Sequence, residues 1–464
     1  MTDKDYMNTI TRREFLASTG KGIAGAAVAG ATLSNFAQDR VQGANDKIVL
    51  ALIGAGDRGT AVIQGMLKNN QNVEVKYVCD VNDERGGEAM KGLTKSQGYA
   101  PKRINEMRRI FDDKEVDAVQ ISTPEHWHSV AAIWACRSGK DVYVEKCSST
   151  TIWEGRKLVE AAEKYQRIVE IGTQNRSADY GWSARDYIHS GKLGKVVMVK
   201  SYNMLGGGRV RRYPDSAEIP KGLDWDAWLG PAPYVPYNRG IHDMQGRGGW
   251  GNFWAYSGGI LSDDGSHVID LARLALGDPD HPRSVCCIGG NYAFQGERET
   301  PEFQSIVYDY GDFVLTFDSG NATNYMKKAG NNVRYGKEWP FWPQYACRTE
   351  IYGTEGMMYL GRHGCGWRVF GADNQLLAEH KGYFPDDAHQ KNFIESLRTR
   401  KKPNADPLQG HLSACLVHMA NISFRVGCKQ LLFDAKTERF TNCDEANKLL
   451  TKPYRDKYSI PDKV

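Results

Sequence analysis

A chain of 464 residues is long enough for two or three domains with hydrophobic cores. Hydrophobic residues make up 41% and charged residues 25%, which is typical of a globular protein. The formal net charge of +4 is too small, and the basic residues too scattered, to indicate a nucleic-acid partner.

The first residues predict an exported protein. Thr11-Arg12-Arg13-Glu14-Phe15-Leu16 is a twin-arginine motif, and residues 20–31 are apolar, rich in glycine and alanine, and short for a membrane span. So many glycines disfavour the alternative of an ordinary buried helix. We therefore predict a signal over residues 1–44, recognition by the twin-arginine export machinery, and a periplasmic location. An uncleaved signal would tether the protein to the membrane.

Residues 45–172 alternate short apolar runs with helical patterns. Strands are predicted at 47–53, 73–79, 116–122, 141–144 and 167–171. This alternation predicts a doubly wound parallel sheet, and therefore an α/β fold.

A dinucleotide fingerprint follows the first of these strands. Gly54, Gly56 and Gly59 form a G-x-G-x-x-G turn that opens a helix, where amide groups can bind a pyrophosphate. Asp80 ends the next strand, at the spacing of a carboxylate that binds ribose hydroxyls. Because Asp80 would repel a 2′-phosphate, NAD is favoured over NADP. The cofactor contacts predicted here are Gly54, Gly56, Asp57, Arg58, Gly59 and Asp80.

Two further motifs follow the third and fourth strands, at the edge of the sheet where ligands bind. Ser122-Thr123-Pro124-Glu125-His126-Trp127-His128 opens a helix, and Glu145-Lys146 ends the fourth strand. A H-x-H pair without a carboxylate at suitable spacing is weak evidence for a metal, and the ten cysteines include no C-x-x-C pair. We expect no metal and predict cofactor contacts from Thr123, Pro124, His126, His128, Glu145 and Lys146.

Lys146 is also a candidate catalytic residue, because a lysine beside the nicotinamide can bond a substrate hydroxyl. The alternative is a surface lysine paired with Glu145.

After residue 173 the pattern becomes α+β. Strand candidates separated by short turns, such as Tyr310-Gly311-Asp312, predict antiparallel hairpins. Residues 387–399 and 410–426 are predicted to be helical, and these helices are expected to pack back on the first domain. We assign residues 173–464 to a second domain for substrate binding and oligomerisation.

A third motif, residues 257–270, begins a helix with Asp263 and His267 four residues apart and so on one face. A histidine can take a hydroxyl proton while an aspartate orients it or binds sugar hydroxyls. The alternative is an N-cap aspartate and a buried structural histidine. The aromatic stretch before it includes Trp250 and Trp254, which are candidates for stacking on a sugar ring or for packing at a subunit interface.

These motifs together resemble the Gfo/Idh/MocA superfamily of glucose–fructose oxidoreductase and inositol dehydrogenase. The resemblance rests on the glycine turn, residues 123–128, Glu145-Lys146, residues 172–177, the segment from Gly258 to His267, and Tyr352-Gly353-Thr354-Glu355-Gly356. It departs at Cys147, where the family usually has proline.

The resemblance implies a Rossmann domain followed by a domain with a large, open, mostly antiparallel sheet. It implies substrate roles for Lys146, Asp263 and His267, and a homo-oligomer, either a dimer or a tetramer. Gln174 is predicted to contact the cofactor, and the predicted substrate contacts are Asn175, Arg176, Trp250, Trp254, Asp263 and His267.

The resulting prediction is an exported NAD-dependent oxidoreductase that acts on a hydroxyl of a sugar or glycoside. Away from the cytoplasmic NAD pool, its cofactor would be tightly bound and recycled in place. The alternative is an NAD-dependent glycosidase, lyase or epimerase working through a transient 3-keto sugar. A non-catalytic sugar-binding protein is a rival from another class, and the joint presence of Lys146, Asp263 and His267 argues against it.

Overall fold

The computed structural model describes residues 47–206, 218–242, 249–293 and 296–464. The predicted signal over residues 1–44 lies outside these ranges. Within them, no helix combines the length and apolar composition that crossing a membrane requires.

The first domain contains a six-stranded parallel sheet with the order β3-β2-β1-β4-β5-β6. The central strand β1 (Ile48–Ile53) is buried along its whole length, as expected where helices cover both faces of a parallel sheet. Its strands are β1 (Ile48–Ile53), β2 (Val73–Cys79), β3 (Lys102–Ile104), β4 (Ala118–Ile121), β5 (Asp141–Val144) and β6 (Val169–Ile171).

The helices of this domain begin and end at identifiable side chains and turns. Asn82 caps one helix by accepting from the Arg85 amide, and Thr151 caps another by accepting from the Glu154 amide. Gly98, in the left-handed conformation, ends the first of these. The helices are α1 (Asp57–Asn69), α2 (Asp83–Gln97), α3 (Arg108–Asp112), α4 (His128–Arg137) and α5 (Ile152–Lys164).

The second domain contains a ten-stranded mixed sheet with the order β14-β13-β12-β11-β7-β10-β9-β8-β15-β16. The β7–β10 pairing is parallel, and the pairings on either side of it are antiparallel. The predicted fold class is therefore confirmed. The strands are β7 (Val196–Met204), β8 (Ser284–Gly290), β9 (Phe303–Asp309), β10 (Val314–Gly320), β11 (Cys347–Gly353), β12 (Met357–Gly361), β13 (Gly366–Phe370), β14 (Leu376–His380), β15 (Leu431–Asp434) and β16 (Arg439–Phe440).

Helices cover one face of this sheet and form the larger core with it. Tyr308 of β9 donates from its hydroxyl to the Leu416 carbonyl oxygen, 2.7 Å away. Phe317 and Val268 belong to the same buried cluster. The helices after β6 are α6 (Asp179–His189), α7 (Trp225–Leu229), α8 (Arg239–His242), α9 (Ser266–Ala275), α10 (Asn331–Arg334), α11 (Asp386–Thr399), α12 (Pro407–Arg425) and α13 (Asp444–Asn447).

Late segments of the chain return to the first domain. Asn69 of α1 donates to Asp387 and Gln390 of α11, each at 2.9 Å. Near the C-terminus, the ring of Tyr458 lies 5.2 Å from that of Trp127. Residues hundreds of positions apart in the chain thus pack against the first domain.

Candidate active site

A cavity of about 910 Å³ lies beside the carboxyl ends of β1, β2, β4 and β5. One part is lined by the glycine loop and Asp80, and another by Lys146, Asp263 and His267. The carboxyl edge of a doubly wound sheet is the usual ligand site of such folds. The cavity therefore joins the predicted cofactor and substrate residues.

The three glycines of the fingerprint have different surroundings. Gly54 has φ +88°, and a Cβ there would lie 2.6 Å from the Ser122 backbone; a Cβ on Gly59 would lie 2.1 Å from the Gly54 oxygen. A Cβ on Gly56 would meet nothing within 4 Å. Gly54 and Gly59 are thus required by close packing, whereas Gly56 leaves open space at the start of α1 for a pyrophosphate.

Asp80 fixes the rim of this loop. One carboxylate oxygen accepts from the Ala55 amide at 2.6 Å, and the other accepts from the Asn82 amide at 2.8 Å. These contacts hold a negative charge in the cavity lining beside the open space at Gly56. The residues present therefore fit a dinucleotide with free ribose hydroxyls.

Arg58 connects the glycine loop to two other parts of the chain. Its Nε donates to Glu145 Oε1 at 2.8 Å, and its Nη1 donates to Asp386 Oδ2 at 3.0 Å. Arg58 and Glu145 both line the cavity, so the predicted cofactor residues are also paired with each other.

Lys146 is held against the helix that carries His267. Its Nζ donates to Asp263 Oδ1 at 2.7 Å and to the Asp263 main-chain oxygen at 3.0 Å. Burial disfavours the ammonium, but the negative charges of Asp263 and Glu125 outweigh it and raise the pKa of Lys146. The lysine is therefore a cation at neutral pH, and its partner is Asp263 rather than Glu145.

Asp263 lies in a π-helical turn, Leu261–Gly265, that runs directly into α9. Such turns are frequent at functional sites. His267 follows at the start of α9, is 5% exposed, and its buried Nδ1 has no hydrogen-bond partner among the described residues. Burial, followed by the positive charges of Arg362 and Lys146, holds the pKa of His267 well below its ordinary value. The imidazole is therefore neutral at neutral pH.

Six charged residues without a predicted role also line the cavity: Arg85, Glu88, Glu125, Asp264, Lys328 and Arg362. Asp264 pairs with Lys328 and lies 3.7 Å from Arg362. Burial raises the pKa of Glu125, whose carboxylate accepts from the Ser262 hydroxyl at 2.6 Å. Glu125 and Asp264 lie within motifs already recognised, whereas Lys328 and Arg362 carry no sequence signal.

Several other predicted contacts are in the cavity lining: Asp57, Thr123, Pro124, His128, Gln174 and Trp250. The ring nitrogens of His128 face the carbonyl oxygens of Cys147 at 2.7 Å and Thr123 at 2.8 Å. His128 therefore ties the loop after β4 to the loop that carries Lys146.

His126 is not part of that lining, contrary to its predicted cofactor contact. Its Nε2 donates to the Trp228 carbonyl oxygen at 3.1 Å, and its ring packs 5.1 Å from that of Tyr256. Burial lowers the pKa of His126 to about 3. The two histidines lie where a 3-10 turn runs into α4, and there His128 lines the cavity and His126 packs in an aromatic cluster.

Three predicted substrate contacts also lie elsewhere. Arg176, 1% exposed, pairs with Asp270 and Asp278, each at 2.8 Å. The ring of Trp254 packs beneath the Arg425 guanidinium, 5.1 Å away. Asn175 donates to the Arg362 carbonyl oxygen at 2.8 Å. None of the three lines the cavity: ion pairs occupy the polar group of Arg176, a main-chain contact occupies that of Asn175, and Trp254 packs against Arg425.

A group of possible metal donors lies outside the cavity lining. Atoms of His281, His411, Cys415 and Glu438 lie within 4.8 Å of one another. Glu438 already accepts from both imidazoles and from Arg156. These hydrogen bonds already satisfy the Glu438 carboxylate without a metal ion. We therefore assign the four residues a structural role.

Comparison with known families identifies the chain. A model described as "Oxidoreductase family, NAD-binding Rossmann fold" matches residues 48–173. A second, "Oxidoreductase family, C-terminal alpha/beta domain", matches residues 201–332 and 350–460. The chain belongs to the Gfo/Idh/MocA oxidoreductase family. The predicted enzyme class and the predicted NAD cofactor are thereby confirmed.

The chain is similar to proteins that are named for different activities. A glycosyl hydrolase family 109 protein of Stenotrophomonas maltophilia is 32% identical over 408 residues, covering 77% of this chain and 86% of its own. The scyllo-inositol 2-dehydrogenase (NAD(+)) of Bacillus subtilis is 22% identical over 327 residues, covering 68% and 78%. The aldose-aldose oxidoreductase of Caulobacter crescentus, solved with glycerol, superposes with a TM-score of 0.60 at 17% identity, covering 83% of this chain and 100% of its own.

Proposed function

We propose that this protein oxidises a hydroxyl of a sugar or glycoside with NAD. The observation that carries the proposal is the convergence of a cationic Lys146 and a neutral His267 in the cavity that contains the glycine loop. An ammonium that bonds an alcohol oxygen and an imidazole that removes its proton are the two groups that alcohol oxidation needs.

The roles of the side chains follow from their charges. When bound, NAD supplies a nicotinamide that accepts the hydride from the carbinol carbon. His267 takes the hydroxyl proton, so the C–H bond electrons and the O–H proton leave separately and a ketone forms. Lys146 donates a hydrogen bond to the substrate oxygen and stabilises the negative charge that develops as the proton leaves. Asp263 holds the lysine in place and can accept from a neighbouring hydroxyl.

Aromatic and polar groups in the same cavity support a carbohydrate substrate. Trp228 and Trp250 line it together with Asp263 and Asp264. Aromatic rings pack on the apolar faces of pyranoses, while carboxylates accept from their hydroxyls. Similarity to an inositol dehydrogenase and to an aldose oxidoreductase favours the same substrate class.

We further propose that the enzyme is exported and keeps its NAD. The twin-arginine motif at residues 11–16 supports export. In a compartment without a NAD pool, a dissociating cofactor would end catalysis after one turnover. Denaturing the purified protein should therefore release roughly one NAD(H) per chain; release of none, with none bound on addition, would refute the redox proposal and leave the sugar-binding rival.

One observation favours a second candidate. The relative with 32% identity is named a glycosyl hydrolase family 109 protein. Oxidation at C3 of a pyranose would acidify the C2 hydrogen, so that a base could remove it as the C1 substituent leaves with its bonding electrons. After water adds back, return of the hydride to C3 completes hydrolysis with no net redox change.

An aryl glycoside distinguishes these candidates. Incubated with protein carrying only its own NAD, the dehydrogenase should reduce nicotinamide once and release no aglycone. Repeated release of aglycone without net reduction would establish the glycosidase or lyase instead. A His267→Ala variant should lose either reaction.

The exposed side of the large sheet supports the proposed dimer or tetramer. Val197, Val314, Val307 and Ile288 are 47%, 38%, 44% and 60% exposed on β7, β10, β9 and β8, which follow one another in the sheet. Apolar side chains on adjacent strands favour a second subunit as their cover. Light scattering should give a mass at least twice that of the chain, and a monomer mass would exclude this interface.

A further inference from the structure

Arg362 is a buried cation whose guanidinium forms no hydrogen bond with any described residue. It is 6% exposed, its Nε is buried without a partner, and its Nη2 lies 3.7 Å from Asp264, beyond hydrogen-bond distance. Burying a charged donor without a hydrogen-bond acceptor is costly, even with a carboxylate nearby. Because Arg362 lines the cavity, a bound ligand can supply the missing acceptor.

The backbone holds Arg362 in this position. Its carbonyl oxygen accepts from Asn175 at 2.8 Å and from the Tyr180 hydroxyl at 2.9 Å. Its guanidinium lies 5.8 Å from the centre of the Phe384 ring, which also lines the cavity. The main chain that carries the cation is therefore held before any ligand binds, which limits the entropy lost on binding.

Positive charge exceeds negative charge around Arg362. Lys328 and Arg362 share one carboxylate, Asp264. Arg334 adds a third cation, whose guanidinium lies 5.5 Å from the centre of the same Phe384 ring. Burial and the charge of Arg362 hold the pKa of His363 well below its ordinary value, so this neighbour is neutral at neutral pH.

This positive region adjoins the proposed reaction centre. Asp263, which holds Lys146, and Asp264, which faces Lys328 and Arg362, are consecutive residues of the π-helical turn. A ligand spanning the two would place one group at Lys146 and His267 and an anionic group at Arg362.

We propose that Arg362 and Lys328 form a subsite for a carboxylate on the sugar, so that the substrate is a uronic acid or its glycoside. The planar guanidinium fork matches the two oxygens of a carboxylate, and Lys328 adds a second charge. This inference rests on the proposed oxidation of a sugar hydroxyl and specifies the class of that sugar.

A matched substrate panel tests the subsite. Protein carrying NAD is mixed with methyl glucuronide, methyl galacturonide, the corresponding neutral glucoside and galactoside, and glucose 6-phosphate, while nicotinamide absorbance is followed. We expect a KM for one uronide at least about tenfold below that of its neutral counterpart, equivalent to about 1.4 kcal/mol.

Each outcome decides a different claim. A KM for the neutral glycoside equal to or below that of the uronide would refute the carboxylate subsite. It would leave the proposed oxidation of a sugar hydroxyl unaffected. Preference for the phosphate would overturn the carboxylate class. If none of the sugars reduces the bound NAD, the proposed function itself is contradicted.

Substitutions test whether Arg362 is responsible for the preference for a uronide. Arg362→Met should raise the KM for the preferred uronide by roughly tenfold or more, and Arg362→Lys should retain part of the preference. The control is Arg368→Met on β13, where the arginine pairs with Glu379 on the exposed sheet. Unchanged uronide KM in an Arg362→Met protein that keeps its NAD and melting temperature would contradict the proposal.

Discussion

Lys146 Nζ lies 2.7 Å from Asp263 Oδ1 and 3.0 Å from the Asp263 main-chain oxygen. This contact joins the end of β5 to the π-helical turn before α9, 117 residues later. It brings a cation from the parallel-sheet domain to the element that carries His267. The proposed chemistry depends on this junction.

Removal of either proton-handling group should slow turnover. Lys146→Ala and His267→Ala are each expected to reduce the rate by roughly a hundredfold or more, as for other general acid–base residues. Lys391→Ala, an exposed lysine on α11, is the matched control and should retain the rate. Near-normal rates in both site variants would refute the assigned roles.

The pH dependence of turnover should reflect the charges in the cavity. Because the pKa of His267 is held well below its ordinary value, lowering the pH through about 6.5 should not yet protonate the base. Because the pKa of Lys146 is raised, mild alkali should not neutralise the ammonium. A kcat profile that falls with an apparent pKa near about 6.5 would contradict a buried neutral His267.

The glycine loop offers a matched pair of substitutions. Gly59→Ala would place a Cβ 2.1 Å from the Gly54 oxygen and should lower the melting temperature. Gly56→Ala meets open space in the protein, so it should fold normally and lose NAD instead, because its methyl group would occupy the predicted pyrophosphate space. Calorimetry and NAD content distinguish the two. Normal NAD binding by Gly56→Ala would place the pyrophosphate elsewhere.

Asp80 should determine the preference for NAD over NADP. Asp80→Asn removes the negative charge while keeping an oxygen that can accept from the Ala55 amide. We expect weaker NAD binding and a smaller preference over NADP, since the repulsion of the 2′-phosphate disappears. Calorimetric titration of both dinucleotides measures this, and an unchanged preference would exclude Asp80 as the discriminating group.

Stability should decrease in acid because of buried histidines. Burial lowers the pKa of His126 to about 3, and those of His389 and His418 to about 4. The unfolded chain binds these protons below about pH 6.5 and the folded chain does not, so stability present above that pH is lost as the pH falls. Each histidine contributes a slope of at most about 1.4 kcal/mol per pH unit. Melting temperatures across this range should show the loss, and His126→Gln should reduce it.

Local motifs predict the cofactor loop because their partners are close in sequence. Gly54 and Gly59 contact each other, and Asp80 follows from the strand spacing. Asp263 and His267 were recognisable as a pair for the same reason. The regular alternation of strands and helices likewise predicts the parallel sheet.

Contacts over long sequence separations could not be predicted in this way. Arg58 reaches Asp386, 328 positions away, and nothing in either local sequence indicates the pair. Arg362 and Lys328 enter the cavity only because the large sheet and its adjoining loops bring them there. The structural role of Arg176 could not be predicted for the same reason, because its partners Asp270 and Asp278 lie about a hundred residues away.

Transfer of deuterium tests the central claim most directly. Protein carrying NAD is incubated with ring-deuterated methyl glycosides and methyl uronides, then denatured, and its nicotinamide is analysed by mass spectrometry. The account predicts deuterium in the nicotinamide of the wild-type protein and little or none with His267→Ala. Absence of deuterium from the wild-type nicotinamide, with NAD bound and every sugar present, would contradict hydride transfer from a sugar carbon.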